Sequence, residues 1–258
     1  FNWGVAGAAI ATGLSQCVGG VLPLIYFLRP NDSLLRMRPT SLRLHPILQA
    51  CGNGSSELMS NISSSLVGML YNFQLMHLIG EDGVSAYGVL MYVQFIFVAI
   101  FIGYSIGCAP VVSFHFGAQN HSELKSLLRK STLLMASGGI LLTIAARLLA
   151  APLARLFVGY DAGLFELTSH AFRLFSWSFL LAGFNIFASG FFTALNNGAI
   201  SAAISFLRTL VFQTASVLIL PLLLDVDGIW WAITVAEIFA FLISLMFLYL
   251  KRNKYHYL

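Results

Sequence analysis

The residues that could do chemistry in this 258-residue chain are polar side chains set inside long apolar stretches. Between residues 52 and 78 the spacing is helical: Glu57, Asn61, Ser64, Gly68 and Asn72 are separated by four, three, four and four positions. This spacing places all five on one face of an α-helix. We predict Glu57 as a cation-coupling residue, because a carboxylate at membrane depth can bind a cation or exchange a proton. The alternative is an interfacial acid that reaches back to water.

A second polar stripe runs through residues 169–194 and just beyond, and comprises Ser178, Asn185, Ser189, Thr193 and Asn196. Two stripes on different helices predict two walls of a hydrated cavity. The alternative is that these groups only hydrogen-bond neighbouring helices, at about 0.6 kcal/mol each.

Aromatic walls would suit a cavity that receives hydrophobic organic cations. We therefore add the aromatic residue beside each stripe, Tyr71 and Phe184. The predicted cavity-lining residues are Asn61, Ser64, Tyr71, Asn72, Ser178, Phe184, Asn185, Ser189 and Thr193.

Two further charges, Arg208 and Glu237, lie deep in consecutive apolar runs. Counted from one end of the bundle they are at similar depth, so we predict a buried structural ion pair. Gly103 and Gly107 form a GxxxG pattern, which predicts the close approach of another helix.

Other chemistries find little support. The cysteines (Cys17, Cys51 and Cys108) form no CxxC and are predicted to be free and buried, and the six histidines are scattered, so we expect no metal site and no cofactor. No Ser/His pairing or two-acid motif indicates an enzyme. The net charge of +4 comes from short loops and predicts contact with anionic lipid, not with nucleic acid.

The elements that position these residues are apolar helices. The chain has 58% hydrophobic and 9% charged residues and a mean hydropathy of +0.83, too little polar material to coat a soluble globule. A membrane-spanning helix needs roughly 20 apolar residues. Seven runs qualify, which predicts an all-α polytopic bundle: 4–28, 52–78, 84–113, 131–157, 169–194, 199–224 and 229–250.

Charges between these runs alternate in sign. Residues 29–46, 121–131 and 251–258 are basic, whereas 79–83, 159–168 and 225–228 are acidic. Because Lys and Arg concentrate in cytoplasmic loops, the basic segments are predicted inside, with the N-terminus of this chain outside and its C-terminus in the cytoplasm.

The first and last runs share a pattern that indicates a repeat. Gly7, Ala11 and Gln16 match the spacing of Gly228, Ala232 and Glu237, and many transporters are built from repeats. The predicted organisation is the last helix of one lobe at 1–28, a cytoplasmic linker at 29–50 and a six-helix lobe at 51–258. The remaining N-terminal lobe would lie upstream.

The stretch Gly103-Tyr-Ser-Ile-Gly-Cys-Ala-Pro-Val-Val-Ser-Phe-His-Phe-Gly-Ala-Gln-Asn120 resembles a signature of the multidrug and toxic compound extrusion (MATE) family. The opening Gly4-Val-Ala-Gly-Ala-Ala-Ile-Ala-Thr12 and Phe191-Phe-Thr-Ala-Leu-Asn-Asn197 are similar to it too. The resemblance implies two six-helix lobes around a central cavity, and export of small organic compounds from a plasma membrane in exchange for Na⁺ or H⁺. It also implies a coupling acid on the helix matching 169–194, but no Asp or Glu lies between Glu166 and Asp225.

Three alternatives remain at this point. A lipid or lipid-linked oligosaccharide flippase of related architecture would need a cationic cavity, which the stripes do not provide. A seven-helix receptor fits the helix count but not the repeat. An intramembrane enzyme lacks a catalytic pattern.

Overall fold

The computed structural model describes residues 4–29 and 42–257, and these form helices with no strand among them. The helices are α1 (Gly4–Leu28), α2 (Leu44–Leu78), α3 (Glu81–Gly117), α4 (His121–Val158), α5 (Ala162–Phe175), α6 (Phe179–Ala194), α7 (Gly198–Phe206), α8 (Gln213–Ile219) and α9 (Pro221–Tyr255). From α2 onward, only short turns or local breaks separate consecutive helices. The all-α prediction is confirmed.

The chain divides into two units, residues 1–46 and 47–258. The first contains α1, a 25-residue apolar helix with Pro23 inside it. The second contains almost all of α2 and every later helix. Because α2 begins at Leu44, residues 44–50 are helical where the sequence predicted the end of the linker. Most of that linker, including Arg36 and Arg38, lies outside the described residues.

Six segments of the described chain are long and apolar enough to cross a membrane: 9–28, 81–117, 121–158, 162–194, 198–219 and 221–255. These match six of the seven predicted runs. The exception is α2, which is 35 residues long but carries the polar residues of the first stripe. These polar residues lower its mean hydropathy. Its length of about 52 Å is nevertheless more than enough to cross the hydrocarbon core.

Helix α4 is continuous over 38 residues, or about 57 Å. The side chain of Asn120 caps its start by accepting a hydrogen bond from the backbone N–H of Glu123 at 3.3 Å, as expected of an N-cap residue. The basic segment at 121–131 is therefore the first part of a membrane helix. It does not form a separate loop.

Two long segments are interrupted. A short 3₁₀ turn, Ser176–Ser178, joins α5 to α6, and a π-helical turn, Leu207–Phe212, joins α7 to α8. A third break occurs near the start of α9, where Asp225 has φ 48° and ψ −132°. The helix is kinked there, and an added Cβ on Gly228 would clash with the backbone of Leu220 and Pro221.

The core of the second unit is aromatic and lies where α3, α5, α6 and α9 meet. Phe101, Phe172, Phe179, Phe187 and Trp230 are all essentially buried.

Glycine allows the closest helix contacts in this core. A Cβ on Gly139 would lie 2.6 Å from the carbonyl oxygen of Leu180, and one on Gly183 would lie 2.7 Å from the ring of Phe101. A Cβ on Gly103 or Gly107 would meet nothing within 4 Å in the described part of the chain. The close approach predicted for that GxxxG pair is therefore not made there.

Candidate functional site

The first predicted stripe is an exposed polar face of α2. Glu57, Asn61, Ser64 and Asn72 are all exposed. The hydrogen bonds found on this face run to the preceding turn of the same helix: Asn61 Nδ2 donates to the Glu57 carbonyl at 2.8 Å, and Ser64 Oγ donates to the Ser60 carbonyl at 2.8 Å. The side chains thus remain available to water or to a further part of the protein.

The aromatic residue beside this stripe faces elsewhere. Tyr71 is only 3% exposed and stacks on Tyr87 of α3, with ring centroids 4.9 Å apart and planes 10° apart. The pair packs α2 against α3. Phe184, predicted to line the same cavity, is also buried and contacts Phe241 edge to face at 4.8 Å. Both rings pack against other aromatic rings, so neither is part of the exposed polar face of α2.

Most polar side chains of the second stripe form hydrogen bonds to neighbouring helices. Ser189 Oγ lies 2.8 Å from Ser201 Oγ and 2.9 Å from Ser205 Oγ. Thr193 Oγ1 donates to Ser201 Oγ at 2.7 Å. These four hydroxyls join α6 to α7. This is the alternative to cavity lining given in the sequence analysis, in which the polar groups hydrogen-bond a neighbouring helix.

The remaining members of the second stripe are also not on an open surface of α6. Ser178 and Asn185 are buried. Asn196 is exposed but lies in the turn after α6, with φ 56°. The stripe therefore contributes no continuous exposed face in this chain, and lining of a cavity by Ser178, Asn185, Ser189 and Thr193 stays a prediction.

Arg208 and Glu237 form an ion pair between the π-helical turn and α9. Arg208 Nη2 lies 2.6 Å from Glu237 Oε1, and Arg208 Nε donates to Oε1 at 2.9 Å and to Oε2 at 3.0 Å. Asn185 of α6 adds a donor, with Nδ2 at 2.7 Å from Oε2 and 3.0 Å from the Glu237 backbone carbonyl. Three segments thus converge on one carboxylate.

This geometry favours a structural role for the pair. Glu237 is 2% exposed and Arg208 19% exposed, so the two charges compensate each other where water is scarce. The π-helical turn widens the helix at Arg208, and such turns often accompany functional sites. Sequence reasoning predicted the pair from matching depth, but it missed Asn185 as the third member.

Sequence reasoning also missed Ser201 and Ser205. Their spacing of four residues was visible, yet only the packing of α7 on α6 shows that they meet Ser189. Among the described residues, no group of three or more His, Cys, Asp or Glu side chains is placed so that it could hold a metal ion. The three cysteines are free, as predicted, and Cys108 is buried. The predicted burial is wrong for Cys17 and Cys51, which are exposed.

Comparison with known proteins identifies relatives among export proteins. The family profile MatE matches residues 58–218. "Multidrug export protein MepA" of Staphylococcus aureus (strain bovine RF122 / ET3-1) is 21% identical over 258 residues, covering 98% of this chain and 56% of that protein. The protein of the same name from Staphylococcus saprophyticus is 22% identical, with the same coverage. The chain thus spans a little over half the length of the curated relatives it matches.

Solved structures show the same fold. A crystal structure of MATE in complex with MaL6 has a TM-score of 0.90 at 19% identity, over 99% of this chain and 58% of that one. An outward-facing multidrug resistance MATE family transporter of the MOP superfamily has a TM-score of 0.88 at 20% identity, over 98% and 57%.

The receptor and enzyme alternatives are wrong, because the matched family consists of transporters. The structural likeness supports the fold, and the family profile covers well over half of the residues. This multi-pass membrane chain therefore belongs to the MatE family.

Proposed function

We propose that this chain supplies the C-terminal lobe of a secondary antiporter. The antiporter exports small organic, often cationic, compounds from the plasma membrane in exchange for Na⁺ or H⁺. Family membership and the printed names of the relatives support export. The proposed organisation has α1 as the last helix of the N-terminal lobe, residues 29–50 as a cytoplasmic linker and the rest as the second lobe. The C-terminus is cytoplasmic in this proposal, and the other N-terminal helices complete the cavity.

The observation that carries the proposal is the polar face of α2. Polar side chains on a membrane helix are costly against lipid, so they face a water-filled cavity or another part of the protein. Glu57, Asn61, Ser64 and Asn72 form such a face on a bundle whose other exposed surfaces are mainly apolar. A cavity wall facing the proposed N-terminal lobe accounts for both its exposure and its polarity.

Glu57 provides the negative charge of this wall. A carboxylate there attracts an organic cation, and it also attracts Na⁺ or accepts H⁺. If the cargo and the coupling ion compete for this one group, binding of either favours release of the other. Exchange transport follows from that competition. Glu237 is a weaker candidate for the role, because Arg208 and Asn185 already occupy its oxygens.

The experiment is transport by the full-length protein in proteoliposomes, with ethidium as cargo and separately imposed Na⁺ and pH gradients. We expect Glu57→Gln to lose at least tenfold of the gradient-driven rate, and Asn61→Ala to weaken ethidium binding. Glu81→Gln is the matched control, since Glu81 is an exposed carboxylate in the first turn of α3.

Three outcomes contradict parts of the proposal. Full gradient-driven transport by Glu57→Gln removes the coupling role. Absence of ethidium movement under either gradient in the unmutated protein argues against an antiporter of organic cations. Drug-resistance rescue of efflux-deficient cells by residues 1–258 expressed alone shows that the other lobe is dispensable.

A further inference from the structure

A long groove lies between the first part of α4 and the last part of α9, and no residue of α2 lines it. Its volume is about 790 Å³, within the range of roughly 300–1,000 Å³ typical of ligand sites. We call it the α4–α9 groove. The residues lining it are Lys125, Leu128, Arg129, Thr132, Leu133, Ala136, Phe184, Leu245, Leu248, Tyr249 and Tyr257.

One end of the groove is basic. Lys125 and Arg129 lie in its wall, and both also line a neighbouring pocket of about 390 Å³ together with Lys130. No acidic residue lines either space, and no ion pair involves these three cations among the described residues. Arg252 lies over the Tyr249 ring at 3.7 Å, next to the same end.

The rest of the groove is apolar and open at its side. From Lys125 to Ala136 it follows α4 for about 16 Å. Leu133 and Leu245 remain 63% and 41% exposed on its two sides. The start of α4 and the end of α9 belong to the same end of the bundle, since the His121 and His256 rings are 5.1 Å apart. The basic end is therefore at a membrane surface, and the apolar part runs into the bilayer.

We infer that the α4–α9 groove binds a phospholipid with an anionic headgroup, taken from the leaflet at this end of the bundle. Lys125 and Arg129 hold the phosphate, as Lys and Arg do in basic pockets between membrane helices. An acyl chain lies along Leu128, Leu133 and Leu248. An organic cation would be repelled by the two positive charges at the basic end of the groove. Free phosphate would leave the apolar part of the groove empty. The inference is independent of the proposed transport function.

The test is lipid binding by the purified chain in detergent, measured by native mass spectrometry. The probes are phosphatidylglycerol and phosphatidylcholine with identical acyl chains. We expect a preference for phosphatidylglycerol that Lys125→Gln with Arg129→Gln reduces, by about fivefold for each charge and about thirtyfold for both. Arg147→Gln with Arg155→Gln is the control, because these cations lie near the other end of α4.

A second pair of variants tests the apolar part without changing charge. Ala136→Phe narrows the groove and should weaken binding of both lipids at least fivefold. Leu141→Phe changes an exposed position of α4 that does not line it and should have no effect.

The inference is overturned by an equal affinity for both lipids, by an unchanged preference in the double Gln variant, or by binding that Ala136→Phe leaves intact. Displacement of the lipid by millimolar inorganic phosphate alone overturns it as well, since that result makes the site one for a free anion.

Discussion

Removing Arg208 should lower the free energy of unfolding more than removing Glu237, although either change breaks the same ion pair. Arg208 provides three of the four side-chain hydrogen bonds that the Glu237 carboxylate accepts. Arg208→Met therefore strands a charge that is 2% exposed, at about 3–5 kcal/mol of unfolding free energy. Glu237→Leu leaves an arginine that still reaches water, and we expect a smaller cost of about 1–3 kcal/mol.

The double variant Arg208→Met with Glu237→Leu removes both charges. Apolar replacements of a buried pair are often neutral, so it should unfold within about 1 kcal/mol of the unmutated chain. The coupling free energy is then about 3 kcal/mol or more. The measurement is the free energy of unfolding of the purified chain in mixed micelles as SDS increases, followed by far-ultraviolet circular dichroism.

Arg147→Met serves as the control, because Arg147 is exposed and contacts only the Trp177 ring, 4.8 Å away, among the partners found. Its loss should cost less than about 1 kcal/mol. A structural role for the ion pair is refuted if Arg208→Met is as stable as the control, or if the double variant loses as much unfolding free energy as the two single changes summed.

The other predictions concern packing and pH. Gly183→Ala should lower the free energy of unfolding by about 1–3 kcal/mol because its Cβ meets a buried ring, whereas Gly103→Ala should be neutral or slightly stabilising; equal effects in the SDS titration would contradict this. Ser201→Ala should cost about 0.6–1.7 kcal/mol through the hydroxyl cluster, and Ser64→Ala should cost nothing measurable by the same titration. Burial, with a smaller contribution from Tyr255, raises the pKa of Tyr257. The stability that its neutral phenol confers is therefore present below about pH 10 and lost as pH rises further. Tyr257→Phe should flatten that loss when unfolding is measured between about pH 9 and pH 12, and an unchanged alkaline slope would refute it.

Local sequence features were sufficient to predict most of the helices. Long apolar runs can satisfy their backbone groups in lipid only as helices, and Asn120, which caps α4, is of a residue type that favours the N-cap position. The contact between Arg208 and Glu237 was also predictable, because two deep charges on consecutive antiparallel helices need each other.

Only the tertiary structure shows what each polar stripe faces. Spacing of three and four residues places side chains on one face, but it does not say what that face meets. The α2 stripe is exposed, whereas Ser189 and Thr193 are bonded to α7. Tyr71 lies next to an exposed residue in the sequence, yet it stacks on Tyr87 in the core.

By itself, the sequence determined an all-α membrane chain, the position of most helices and the residues that could not be left in lipid. Only the tertiary structure decided that Asn185 joins the ion pair, that Gly139 and Gly183 lie at close helix contacts, and that Lys125 and Arg129 flank an apolar groove. The physical reason is that hydropathy and helical period act along one segment, whereas burial and pairing depend on which segments pack together.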